Sequence, residues 1–251
     1  MKQIYIGPKQ RSELMAIRRR CIRFLHWSQM SIIALLILIP TLFKSSIFKL
    51  SGEYSAVACV ETYSGTGSAV FVGANMLLTA AHVVDGMGLN EYCSIRFESP
   101  DDMDALPVLA KAELVAKGNW SNVDQDPEQD YALLHISSLD ASKIVQPCSI
   151  GNASTIQTQQ EIFIQGYPGG NYVTSQGIVG ALTLQGQYKS IFTVTAKAWQ
   201  GNSGGAMFDD KGNLLGIVIM GGVKTGYNDG QTYVLKIDPI MNQLRAKGFQ
   251  F

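Results

Sequence analysis

The chain has 251 residues, 20 basic and 20 acidic side chains, and 46% hydrophobic residues. Balanced charge gives no electrostatic pull toward nucleic acid, and the low charged fraction excludes a disordered chain beyond the N-terminus. Once an N-terminal segment is set aside, about one domain's worth of chain is left, enough to bury a substantial core, with no solenoid repeat.

Residues 1–23 carry Lys2, Lys9, Arg11, Arg18, Arg19, Arg20 and Arg23 against one acid, Glu13. Residues 24–43, Phe24 to Phe43, then run without a formal charge, centred on Ile32-Ile33-Ala34-Leu35-Leu36-Ile37-Leu38-Ile39. A helix of about 20 residues crosses a hydrocarbon core of about 30 Å. Three readings compete. A buried soluble helix fits poorly, because basic residues crowd one flank and no amphipathic period is visible. A cleaved signal peptide, which would release a secreted protein, needs a short basic region and a prompt small-residue cleavage site. Here the basic region is long, and Ala56-Val57-Ala58 comes late and reads as the first strand. The pattern therefore favours an uncleaved single-pass signal anchor, with residues 1–23 in the cytoplasm and the following domain outside it. Residues 44–54 would form a short tether.

From Tyr54 onward, short apolar strands alternate with Gly, Asn and Asp turns. The expected strands are Ala56–Thr62, Gly67–Val72, Met76–Thr79, Ser94–Phe97, Ala110–Ala116 and Tyr131–Ile136. A long link follows, then Glu161–Gly166, Gln176–Leu184, Ile191–Ala196, Ala206–Phe208, Leu214–Met220 and Thr232–Ile237. Strands at this spacing indicate an all-β barrel or sandwich. A closing helix is expected over residues 239–247, with Asp238 as cap, Pro239 in the first turn and Gly248 as the stop. Of the four cysteines, Cys21 lies in the basic segment, leaving Cys59, Cys93 and Cys148. No Cys-x-x-Cys or other metal spacing occurs. Cys59 and Cys93 fall in apolar segments and suit either a disulfide or buried free thiols.

Three stretches carry chemistry. Leu77-Leu78-Thr79-Ala80-Ala81-His82 sets a histidine at an apolar strand end, and Asp130-Tyr131-Ala132-Leu133-Leu134 opens a strand with an aspartate. Gly201-Asn202-Ser203-Gly204-Gly205 places a serine between glycines, which allow backbone N–H groups to turn toward one small volume. A neutral serine is a poor nucleophile; it needs a base, and the base needs a carboxylate to fix its tautomer. Each stretch alone also suits an inert role: an interior histidine, or a glycine-rich turn. Together, in the order His, Asp, Ser, they point to acyl transfer. His135 reads as structural and His26 falls in the apolar segment.

These three motifs resemble those of trypsin-like serine proteases, of the bacterial HtrA/Deg-like kind. Gly65-Thr66-Gly67-Ser68 and Gly166-Tyr167-Pro168-Gly169 add to the likeness, which covers roughly residues 55–251. The resemblance implies two six-stranded Greek-key barrels, over about 55–145 and 156–237, with the active site between them and a C-terminal helix. The boundary would fall near residues 140–155. It implies Ser203 as nucleophile, His82 as general base and acid, Asp130 as its orienting carboxylate, and the N–H groups of Gly201 and Ser203 as the oxyanion hole. Val83 stands where many animal trypsins have a cysteine, so their disulfide framework is not expected. The sequence stops after the closing helix, where HtrA-like proteins usually continue into a PDZ module.

The implied activity is a membrane-tethered endopeptidase acting on polypeptides, with no cofactor, no metal and no nucleic-acid partner. A catalytically silent binding module on the same fold, or an esterase with the same triad, are the alternatives. By resemblance, Lys197 occupies the position that sets the substrate-pocket floor. Val218, Ile219, Met220 and Gly221 would line its wall, and Trp199 and Gln200, just before Gly201, would border the cleft, though a lone tryptophan also suits plain packing. An apolar wall suggests cleavage after small or medium apolar residues; Lys197 pointing inward would instead select an acidic one.

Overall fold

In the computed structural model the described residues are 54–102, 104–121, 126–184, 186–219 and 231–251. The basic segment, the anchor, the tether up to residue 53, and Met220 and Gly221 lie outside them. Among the described residues no helix is long and apolar enough to cross a membrane.

Two all-β barrels follow one another along the chain. The first contains β1 (Val57–Thr62), β2 (Gly65–Gly73), β3 (Met76–Thr79), β4 (Tyr92–Phe97), β5 (Val108–Lys117) and β6 (Ala132–Ile136). It closes in the order β1-β2-β3-β6-β5-β4. Alternation explains the inward faces: Cys93, Ile95 and Phe97 in β4, and Ala110, Ala112, Leu114 and Ala116 in β5, are buried while their neighbours point outward. Phe71, Leu77, Leu78, Phe97, Leu133 and Leu134 are fully buried, the neighbours Leu77 and Leu78, and Leu133 and Leu134, on opposite faces of the barrel wall. Each such fully buried side chain contributes about 1.5–3 kcal/mol.

The second barrel contains β8 (Glu161–Gly166), β9 (Val173–Ala181), β10 (Ile191–Val194), β11 (Ala206–Phe208), β12 (Asn213–Val218) and β13 (Thr232–Lys236). Its order is β11-β8-β9-β10-β13-β12, closed by pairing of β11 with β12. Phe192, Phe208, Ile162, Ile164, Leu214, Ile217 and Leu235 form its interior. The two-residue β7 (Ser149–Ile150) lies parallel to β12 in the link between barrels. Nothing in so short a stretch marks it as a strand in the sequence.

The closing helix α1 runs Ile237–Ala246, starting two residues before the expected boundary. Lys236 is the cap residue and Asp238 sits in the first turn, where a carboxylate faces the positive helix end. Gly248, at φ +93°, ends it. Its N–H donates to the Arg245 carbonyl and that of Phe249 to Leu244, the paired bonds of a Schellman stop. Ile237, Ile240, Met241 and Leu244 are buried, and the helix packs against β12. Gln243 reaches the first barrel, accepting from the Tyr131 hydroxyl at 2.7 Å. Cys59, Cys93 and Cys148 are free and buried.

Candidate active site

Strand pairing brings the histidine and the aspartate to one end of the first barrel. β3 and β6 are antiparallel neighbours, with Thr79 opposite Ala132. His82 follows Thr79 by three positions in a 3₁₀ turn, Ala81–Val84, and Asp130 precedes Ala132 by two. A second 3₁₀ turn, Pro127–Gln129, leads into Asp130 and is capped by the Asp126 carboxylate, which accepts from the Glu128 N–H at 3.0 Å. Gly118 lies so close to the Gln129 carbonyl that a Cβ there would overlap it.

The Asp130 carboxylate is 1% exposed and grips His82 twice. Oδ2 meets the imidazole Nδ1 at 2.7 Å and Oδ1 accepts from the His82 backbone N–H at 3.0 Å. This fork fixes the ring, makes Nδ1 the donor and leaves Nε2 to accept a proton. Trp120 is buried beside it, with ring centroids 5.9 Å apart at 55°. Sequence patterning does not single out this tryptophan, since an isolated aromatic among polar loop residues has no periodic signal.

Ser203 comes from the second barrel, in the loop between β10 and β11. His82 and Ser203 both line one cavity of about 610 Å³, with Gly201, Gln200, Gly169, Ser64, Gly65, Thr66, Val83 and Asp85. Among the described residues no hydrogen bond joins the Ser203 hydroxyl to His82. In unliganded acyl-transfer sites this bond is commonly long and tightens when substrate binds.

Around Ser203 the loop carbonyls are held one by one. The carbonyl of Gln200 accepts from Gly169 N–H at 3.1 Å, and that of Asn202 from Gly205 N–H at 2.8 Å. The carbonyl of Gly201 accepts from the Ser68 hydroxyl at 2.7 Å, and that of Ser203 from Ser68 N–H at 2.8 Å. Asn202 N–H donates to Trp199 and Gly204 N–H to Val218. Within residues 201–205, the N–H groups of Gly201 and Ser203 are the two without a backbone acceptor. In a trans peptide the N–H points away from its own carbonyl. Holding the Gln200 and Asn202 carbonyls therefore aims both free donors in set directions. Such a pair can receive a developing oxyanion. Gly201 adopts φ +101°, and a Cβ there would come within 2.5 Å of the Tyr167 carbonyl, so glycine is required.

Residues 66–217 match the family model of the trypsin-like peptidase domain. The chain belongs to the trypsin-like peptidase family. It is 29% identical over 191 residues to the glutamyl endopeptidase of Staphylococcus aureus strain MW2, covering 71% of this chain and 54% of the relative. The chain thus spans about half the length of the curated relatives it matches. The structure of the HtrA-type protease AlgW with a tripeptide superposes with a TM-score of 0.57 at 26% identity, covering 78% of this chain and 61% of that one. The Rv3671c protease in its inactive form, from M. tuberculosis, shares the fold, with a TM-score of 0.55 at 22% identity over 79% of this chain and 91% of that one. The HtrA/Deg-like likeness of the motifs is borne out by these neighbours.

The residues expected to form the substrate pocket of a trypsin-like domain are placed less tightly. Lys197 and Trp199 are exposed and do not line the described cavity. The Val218 side chain is fully buried, and its backbone pairs with Gly204 and Gly205 instead. Met220 and Gly221 fall outside the described residues. The cavity beside His82 and Ser203 is built from the first-barrel turn Ser64–Thr66 and from Val83 and Asp85, none of which the sequence reading singled out as cavity-lining.

Proposed function

We propose that this chain is a serine endopeptidase. The observation that carries the reading is the pair of unpaired N–H groups, Gly201 and Ser203, beside a serine that shares its cavity with a carboxylate-held histidine. Ser203 Oγ attacks the scissile carbonyl as His82 Nε2 removes its proton. Asp130 holds the Nδ1–H and stabilises the imidazolium. The carbonyl oxygen, now negative, takes hydrogen bonds from the two free N–H groups. His82 then protonates the leaving amine, and an acyl-enzyme on Ser203 remains. Water, deprotonated by His82, releases the acid and restores the serine.

A fluorophosphonate probe tests this on the full chain in detergent. Wild type is expected to label, and folded Ser203→Ala and His82→Ala are expected not to. Folded wild type without label would sink the catalytic reading in favour of a binding module. Peptide turnover beside ester turnover separates the peptidase from an esterase.

We further propose that residues 24–43 anchor the protein and that the peptidase domain works outside the cytoplasm. The support is the run of 20 uncharged residues behind seven basic side chains and one acid. N-terminal sequencing of the membrane-bound protein is expected to start at Met1 or Lys2; a start within residues 44–58 would mean cleavage and a secreted enzyme. For substrate choice, the burial of Val218 takes one apolar side chain off the expected pocket wall, and Lys197, exposed and outside the described cavity, precedes Gly201 by four residues in the chain. With relatives named glutamyl endopeptidases, this favours an acidic residue before the cleaved bond over a small apolar one. A peptide library profile decides between them.

A further inference from the structure

Ser68 lies in β2 of the first barrel and is fully buried, yet its hydroxyl and its N–H bond to the second barrel. Its hydroxyl donates to the Gly201 carbonyl at 2.7 Å and accepts from Tyr167 N–H at 2.8 Å. Its backbone N–H donates to the Ser203 carbonyl at 2.8 Å. Its own carbonyl accepts from the buried Thr79 hydroxyl at 2.7 Å. One residue of the first barrel therefore holds the carbonyls on both sides of Asn202. The glycines around it leave no room for more. A Cβ on Gly204 would overlap the Ser68 carbonyl and the Thr79 hydroxyl, and one on Gly166 would stand 3.0 Å from Ser68 Oγ.

The Tyr167 contact extends this hold. Tyr167–Gly170 form the turn whose Gly169 N–H fixes the Gln200 carbonyl. Ser68 pins the start of that turn, and Arg96 of β4 pins its end, donating from Nη2 to the Gly170 carbonyl at 2.7 Å with its guanidinium 5.6 Å from the Tyr167 ring centre. Three of the four carbonyls at Gln200–Ser203 are thus held, directly or through one turn, from the first barrel. A hydroxyl that donates once and accepts once has a fixed proton direction. Removing it leaves the Tyr167 N–H and the Gly201 C=O unpaired, and the 201–202 peptide, which joins the two donor-bearing peptides, keeps only the Asn202 N–H bond to Trp199.

Resting on the catalytic reading above, we propose that Ser68 is a positioning residue that keeps the two oxyanion donors aimed while touching no reacting atom. Deleting one oxyanion donor costs about 10²–10³ in turnover, and loosening its support costs less. In the full-length protein, Ser68→Ala is expected to lower kcat about 10–100-fold, with KM within about threefold and the rate of fluorophosphonate labelling falling in parallel. The midpoint of the acid limb of the pH–rate profile should not move, because the His82–Asp130 fork is untouched. All are read well below the melting temperature of each variant, so that loss of folded protein is separated from loss of geometry. Ser68→Cys, close in shape and a weak donor, is expected to fall between, and it decides the matter should Ser68→Ala fail to fold. Folded Ser68→Ala or Ser68→Cys with wild-type kcat, or a loss confined to KM, would overturn the assignment. Wild type that does not label at all would remove the catalytic reading and this inference with it.

Discussion

The two barrels supply the site in different ways. The first gives side chains, His82 and Asp130, at the ends of two paired strands, and they hold each other directly. The second gives mainly backbone, the N–H groups of Gly201 and Ser203, whose direction is set by partners elsewhere. Side-chain chemistry of the first kind survives small shifts, because the Asp130 fork moves with the ring. A backbone donor is only as well aimed as the bonds on its neighbouring carbonyls. Substitutions at His82 and Asp130 should therefore remove chemistry while leaving shape, whereas those in the oxyanion loop, or at Ser68 that supports it, should distort shape and lose chemistry as a consequence.

The largest effect that sharpens this contrast is Asp130→Asn. The amide fills the same space, but its NH₂ or its single carbonyl cannot serve both Nδ1–H and the His82 N–H as the carboxylate does. The imidazole then takes the wrong tautomer, and kcat is expected to drop about 10⁴-fold. The melting temperature should fall by only a few degrees. A loss below about tenfold would mean that the fork is structural. Gly201→Ala should come next, with a loss of about 10²–10³ in kcat, because a Cβ 2.5 Å from the Tyr167 carbonyl forces the loop and its donor away. Here the melting temperature should fall together with activity. If Gly201→Ala lost activity without any loss of stability, the second barrel would be no more fragile than the first.

The same contrast explains what the sequence made legible. The strands of both barrels were readable because apolar residues recur between turn signals, and β3, β8 and β11 match their expected spans. The His82, Asp130 and Ser203 stretches stood out in the sequence because each sets one reactive side chain beside an apolar strand or between glycines. The supports of the oxyanion loop were not. Ser68 sits inside a recognised motif, but nothing in its neighbours says that its hydroxyl crosses to residues more than 130 positions away, at Gly201. Trp120 and Gly169 are likewise defined by contacts that only the folded chain creates. The helix start differed because Asp238 suits the first turn as well as the cap, and local sequence does not separate the two.

The smallest expected effect comes from the unequal placing of thiols. Cys59 and Cys93 lie in the first barrel and Cys148 in the link, while residues 161–251 contain none. Burial pushes the Cys93 thiol up to about 11 and the Cys148 thiol up to about 12, from 9.0. Between pH 9 and those values the unfolded chain has released protons that the folded chain still holds. Stability is therefore unaffected below pH 9 and falls as pH rises through the window up to about 12. The buried Tyr167 hydroxyl, also raised by burial, adds to the fall, while Lys236, lowered by burial, runs the other way. Comparing the drop in melting temperature between pH 8 and pH 10.5 cancels these and the cavity cost of each substitution. Cys93→Ala and Cys148→Ala should each shrink that drop by about 4–8 °C. An unchanged drop in both would mean that the thiols meet water at alkaline pH before the domain unfolds.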